Sequence, residues 1–196
     1  MMTNPRILIL LPMAVLLLAR AAQASTAEAE QCLQGAVNEA LSVAKAAPDN
    51  RVMTVKLRPV LQKHINFETM TRRAVGPGWR QFSPAQRTKA TDLFTTLVIR
   101  SYCEKLTPGE YPVIKFKTAK APESGRCEIP TTLTYQGSNY DVTYRLEGAD
   151  NWRVSDIIIE GVSLVANYRT QFDAVFKKGG AEAVIDSLTQ TVGSPR

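Results

Sequence analysis

Histidine is almost absent from this chain: His64 is the only one. A serine triad or a Cys–His dyad would have to be built on it. It stands beside Lys63 with no catalytic motif around it, so it reads as a surface or capping residue. One histidine and three cysteines without C-x-x-C or H-x-x-x-H spacing make no zinc site. Neither G-x-x-x-x-G-K-S/T nor G-x-G-x-x-G occurs, and Gly76-Pro77-Gly78 reads as a turn, not a phosphate cradle. Basic runs are missing too: Arg72-Arg73 and Lys177-Lys178 are the only basic doublets, which argues against nucleic acid as a partner. No apolar run reaches the roughly 20 residues that cross a bilayer. The longest, residues 7–19, has 13 residues with Pro12 inside it. There is no internal repeat, low-complexity tract or interdomain linker.

That apolar run follows Arg6 and precedes Ala22-Gln23-Ala24, an A-x-A cleavage signal before Ser25. Residues 1–24 are therefore expected to be a cleaved secretory signal peptide, and 25–196 a single exported domain. Cys32 follows Ala29-Glu30-Gln31, which is no lipoprotein cleavage box. The whole chain carries +6; without Arg6 and Arg20 the mature part carries +4, a mild excess suited to anionic membrane surfaces or acidic partners. An odd number of cysteines in an exported chain leaves two readings: a Cys103–Cys127 disulfide with one free thiol, or three buried, reduced thiols.

Residues 28–46 carry a helical stripe through Cys32, Ala36, Val37, Ala40 and Leu41. A short helix over 53–64 is entered or kinked by Pro59, and Asn66 caps a third over 67–75. Ser83-Pro84-Ala85-Gln86 is a capping box with Pro at N1, opening a helix to about Leu106 that is long enough to back a sheet. From Tyr111 the period becomes two. Four strands with short connections form an antiparallel meander, and the apolar parity of the last changes near Ser155-Asp156, which predicts a bulge. Ile157, Ile158 and Ile159 then lead through Gly161 and a capping Ser163 into a helix striped by Leu164, Tyr168, Phe172 and Phe176, with almost no loop. A last helix covers 181–191. The fold class is α+β: a curved four-stranded meander with N-terminal and C-terminal helices packed on one face.

The inner surface of such a fold collects Phe67, Met70, Trp79, Phe94, Leu97, Val98, Leu133, Val142, Tyr144, Leu146, Ile157, Ile159, Leu164, Tyr168 and Phe172. Periodicity does not separate a filled core from a cavity. One enzymatic reading also stands: helices cupped on a curved sheet describe cone-shaped isomerase folds, in which Asp156 with Tyr144 would act as base and donor. The competing reading of Asp156 is a strand-edge or helix-capping carboxylate.

Three ordered segments carry a resemblance. They are Asn66-Phe67-Glu68-Thr69-Met70 through Val75-Gly76 to Trp79; Ser83-Pro84-Ala85-Gln86-Arg87 through Tyr102; and Trp152-Arg153-Val154 through Asp156, Glu160-Gly161-Val162-Ser163 and Asn167-Tyr168-Arg169 to Gln171-Phe172. In them the chain resembles the MlaC-type periplasmic lipid carriers, the toluene-tolerance family. Cys103, Cys127 and the short Thr107-Pro108-Gly109 link depart from the pattern. The resemblance implies a periplasmic, non-enzymatic protein without a cofactor. It implies that the fifteen apolar residues line a lipid pocket, with Gly161 as its hinge and a phospholipid held by its acyl tails, head group toward solvent. Implied partners are an outer-membrane lipoprotein–porin complex and an inner-membrane ABC transporter with an MCE-domain subunit. Hopanoid-associated relatives make a polycyclic lipid a variant cargo. Arg80, Arg100, Arg145 and Arg169 are candidates for the mouth or for docking faces, with ordinary surface charge as the alternative.

Overall fold

The computed structural model describes residues 10–148 and 150–193, with side chains from Thr26 onward. Helix α1 (Leu10–Lys45) is followed by α2 (Asn50–His64), α3 (Phe67–Val75), a 3-10 turn (Gly76–Gln81) and α4 (Pro84–Cys103). The sheet comprises β1 (Val113–Phe116), β2 (Lys120–Glu123), β3 (Arg126–Tyr135), β4 (Ser138–Glu147), β5 (Arg153–Ile159) and β6 (Val162–Ser163), and α5 (Leu164–Gly193) ends the described chain. The start of the expected leader lies outside the described residues. The helix predicted over 28–46 is the latter part of α1.

The sheet has six strands where four were expected. Its order is β1-β3-β4-β5-β6, with β2 also paired to β3, all antiparallel. Two physical reasons account for the difference. The predicted first strand, in which Ile114 and Phe116 alternate with lysines, is β1, and β2, which was not expected, pairs with a different stretch of β3. At the other edge, Glu160 and Gly161 both take positive φ, 50° and 77°, and Ile159 faces Val162. That is the two-residue hairpin geometry that matches strand twist, and it adds β6. The predicted bulge is present: Arg145 pairs with Asp156 and Leu146 with Val154, leaving Ser155 as the extra residue.

The helix starts are set locally. Asp49 accepts from Val52 N at the head of α2, Asn66 from Thr69 N at α3, and Ser83 and Gln86 complete the capping box at α4. Each such cap contributes about 1 kcal/mol. Helix α4 stops at Cys103, three residues short of expectation, and its Cα neighbours are α2, α3 and α5. The expectation that it would back the sheet is thus revised: α1 approaches β2, β3 and β5, and α4 is the middle of the helical layer. The core runs between the layers through Met70, Phe94, Ile129 and Leu146, each at most 1% exposed. Gly76 and Gly78 pack the 3-10 turn onto α5: a Cβ would meet the Arg169 guanidinium at 2.3 Å in the first case and the Phe176 ring at 2.8 Å in the second.

All three described cysteines are free, so the Cys103–Cys127 bridge is not formed. Both thiols are buried, and burial raises their pKa. Cys32 donates to Trp152 O at 3.1 Å. His64 meets Glu39 Oε2 at 2.7 Å, with Lys63 at 3.0 Å, which ties α2 to α1 and accounts for the histidine structurally.

Gly161 offers a clean test. No atom stands within 4 Å of where its Cβ would be, so only its φ of 77° restricts substitution. Gly161→Val should cost about 2 kcal/mol, whereas Gly161→Asn, which tolerates this backbone, should cost well under half of that. Urea unfolding of the two variants measures the difference.

Candidate functional site

The register of the sheet fixes which side chains share its inner face. One row runs Phe116, Thr131, Val142, Ile159, Val162; the next Ile129, Tyr144, Ile157; the next Cys127, Leu146, Val154; and at the opposite end Ile114, Leu133, Tyr140. Ile129, Thr131 and Val142 are buried in the middle of the sheet, and exposure rises toward its edge at β6 and toward the last row. Cys127, Leu146 and Val154 are closed off, Tyr144, Ile157, Ile159 and Leu133 are half-buried, and Tyr140 and Val162 are 39% and 60% exposed. The sheet is therefore sealed at the end covered by α1 and α3 and open at the end of the β3–β4 turn.

The fifteen residues predicted to line a cavity divide along the same gradient. Phe67, Met70, Trp79, Phe94, Leu97, Val98, Val142, Leu146, Leu164 and Phe172 are buried, and nearly all of them belong to one continuous core. Leu133, Tyr144, Ile157, Ile159 and Tyr168 keep accessible surface. The described residues thus form a packed core with a half-open apolar strip along the sheet.

On the helical side, Phe94 meets Tyr168 edge-on at 5.0 Å and Phe172 at 6.0 Å, and Tyr168 stacks on Phe172 at 5.7 Å. Behind this cluster a crevice of about 210 Å³ opens between α4 and α5, lined by Leu97, Tyr168, Gln171, Phe172, Val175, Ser187, Leu188 and Thr191. Sequence reasoning picked out Leu97, Tyr168 and Phe172 for the site. It left out Ser187, Leu188 and Thr191, whose helical period was legible but whose return against α4 was not. A second, wider hollow lies at the surface beside Glu110, Tyr111, Thr134, Tyr135 and Gln136. Its polar groups are spent on each other: Gln136 Nε2 donates to Thr107 Oγ1 and Glu110 Oε2, and Thr107 N donates to Tyr135 Oη.

Tyr144 is the polar element of the half-open strip. Desolvation pushes its phenol up to about 12, although its ring keeps some accessible surface. Because the folded pKa lies above the unfolded value of about 10, this contribution is complete below pH ~10 and lost as pH rises through ~12, up to about 2–3 kcal/mol. Wild type should lose that much more stability than Tyr144→Phe across this window. Denaturant midpoints of the two proteins at both ends of it give the comparison.

Asp156 has another role. Its Oδ1 accepts from Ile157 N at 2.9 Å and Val165 N at 3.2 Å; its Oδ2 accepts from Ser163 Oγ at 2.7 Å and Arg145 Nη1 at 3.3 Å. Four donors occupy the roughly four lone-pair sites of a carboxylate. Ser163 Oγ in turn accepts from Ala166 N at 3.0 Å, the expected cap. Asp156 and Ser163 thus clamp the start of α5 to β5. Asp156 pairs with Arg145, and Tyr144, the next residue along β4, points to the other face. The two are not brought together as acid and base.

The arginines considered for a mouth are mostly structural. Arg145 also pairs with Glu128 at 2.8 Å. Arg169 Nη1 donates to Arg73 O at the end of α3, and Arg100 Nη1 to Val192 O at 2.7 Å. Arg80 is exposed. Among the described residues no group of His, Cys, Asp and Glu is arranged to hold a metal ion, and no helix is long and apolar enough to cross a membrane.

A search of curated proteins finds no match. Among solved structures, the chain is similar to a phospholipid-binding protein from Ralstonia solanacearum in complex with a phospholipid, determined at 1.53 Å. The TM-score is 0.77 at 25% identity, over 84% of this chain and 96% of the other. The family described as MlaC protein matches residues 33–190, which is most of the sequence, and the chain belongs to that family.

Proposed function

We propose that the protein is a lipid carrier that takes the acyl chains of a phospholipid between its sheet and its helical layer. The observation that carries this reading is the similarity, at a TM-score of 0.77, to a protein complexed with a phospholipid. The half-open apolar strip of Leu133, Tyr144, Ile157 and Ile159 along the sheet supports it. A sixteen-carbon tail in water exposes surface worth on the order of 10 kcal/mol at about 0.8 kcal/mol per CH₂, so a free lipid crosses an aqueous compartment slowly. Aliphatic walls supply affinity without selecting a head group.

The carrier works in the periplasm after export, between an outer-membrane lipoprotein–porin complex and an inner-membrane ABC transporter with an MCE-domain subunit. It has no nucleotide-binding motif, so partners impose the direction of transport. The interior between sheet and helices is packed and the strip along the sheet is only half open, so loading a whole lipid requires the layers to part.

The test is the cargo. Protein purified under native conditions from a bacterial host, then extracted and analysed by mass spectrometry, should carry phospholipid near one per chain. A polycyclic lipid in its place would assign a hopanoid-type cargo. Lipid-free protein that also takes up nothing from vesicles overturns the proposal.

A further inference from the structure

The geometry points to residues 181–193 as a swinging cover over an acyl-chain subsite inside the helical layer, hinged at Gly179–Gly180. This rests on the lipid-carrier reading and concerns the helix-lined crevice, not the sheet face.

The first observation is the break. Helix α5 runs as two arms separated by non-helical backbone at Gly179 (φ −157°, ψ 23°) and Gly180 (φ 64°, ψ −150°). The Gly180 conformation is one that essentially only glycine adopts. No atom lies within 4 Å of a Cβ there, so the glycine is required by the bend itself and not by packing. A few such residues at an element boundary are what hinge motions use.

The second observation is what the arm covers. The crevice of about 210 Å³ has α4 (Leu97) and the first arm (Tyr168, Phe172, Val175) on one side, and Ser187, Leu188 and Thr191 of the second arm on the other. Its walls are those an acyl ester would use: an aliphatic and aromatic floor, with the Ser187 hydroxyl and the Gln171 amide on the same crevice. The ligand class is therefore an acyl chain near its ester.

The third is how the two ends of α5 are held. Its start is clamped by Asp156 and Ser163. Among the polar contacts between the second arm and α4 are Gln86 Nε2 to Glu182 Oε2 at 3.0 Å and Arg100 Nη1 to Val192 O at 2.7 Å, near the arm's two extremities. Between them Val184, Ile185 and Leu188 are buried. Swinging the arm exposes that stripe, and a bound acyl chain replaces the apolar contacts it loses. The cover therefore favours a closed empty state and an open state that ends with lipid inside.

The experiment locks the arm at its far end. Arg100→Cys/Val192→Cys in the full chain is joined by a cleavable disulfide-containing bismaleimide, with identically treated wild type as control for the native thiols. The linked protein should take up fluorescent phospholipid from vesicles at least about tenfold more slowly than the same protein after the linker is reduced, because a cover that must open adds its opening to the exchange barrier. Equal rates before and after reduction overturn the cover. A second variant tests the subsite without touching the hinge: Ser187→Phe fills the crevice and should keep the wild-type circular dichroism while holding less lipid per chain. Wild-type lipid content in a folded Ser187→Phe protein overturns the subsite. Failure of the unmodified protein to take up lipid at all is the separate result that removes the carrier reading.

Discussion

Asp156→Ala is expected to be among the most damaging single substitutions in this protein, and to act on stability and not on a chemical step. The carboxylate is 5% exposed and accepts from two backbone amides, Ser163 and Arg145. Its removal leaves the Val165 amide without its partner at a buried helix start and removes the charge facing Arg145. Each backbone donor left unpaired in the interior costs about 1–3 kcal/mol, and two are lost here, which for a domain of this size lowers Tm by roughly 5–15 °C. Asp156→Asn keeps the shape and one acceptor and should fall between alanine and wild type. The discriminating result is thermal: an Asp156→Ala protein that melts with wild type would return the residue to the catalytic candidates.

The second large effect concerns the half-open strip. Ile157 and Ile159 stand in adjacent rows of the inner face, opposite Tyr144 and Val142. In the empty protein each keeps accessible surface, so an aspartate at either position stays hydrated and the fold survives. An acyl chain packing on that strip must dehydrate the carboxylate, at a penalty of several kcal/mol. Ile159→Asp, and more so Ile157→Asp/Ile159→Asp, should weaken lipid binding by at least about 3 kcal/mol, roughly a hundredfold. Val55→Asp, on a side chain that is 69% exposed on α2, is the matched control and should leave binding unchanged. Transfer of fluorescent phospholipid from vesicles reads all three. Wild-type loading of the double aspartate would remove the sheet face from the site.

Much of the fold was legible because it is locally determined. Asn66, Ser83 with Gln86, and Ser163 are caps whose side chains need only the next turn of backbone, and each is found where the sequence puts it. The bulge at Ser155 shows as a change of parity because a strand's two faces alternate strictly. What depends on distant partners was hidden. The added strand β2 exists only because a stretch of β3 is brought beside it. Gly76 and Gly78 look like a loop and turn out to be close-approach positions, since nothing local announces Arg169 or Phe176. Asp156 read as a strand-edge or helix-capping carboxylate, with a base as the alternative, and only the β5–β6 hairpin brings Val165 and Ser163 onto it. For the site the limit is sharper still. All fifteen apolar residues lie in the interior or at its edge, but the gradient from Leu146 to Tyr140 decides which are filler and which form a surface, and the spacing of the sequence carries no trace of that gradient.

The state of the three thiols has a consequence for biogenesis. Cys32, Cys103 and Cys127 are all unbridged, so no covalent bond between distant parts of the chain has to form, or to be sorted among wrong pairings, on the way to the native structure. Completing the fold requires no oxidant. The native structure thus asks for no disulfide chemistry, whether the chain folds in a reducing or an oxidising compartment.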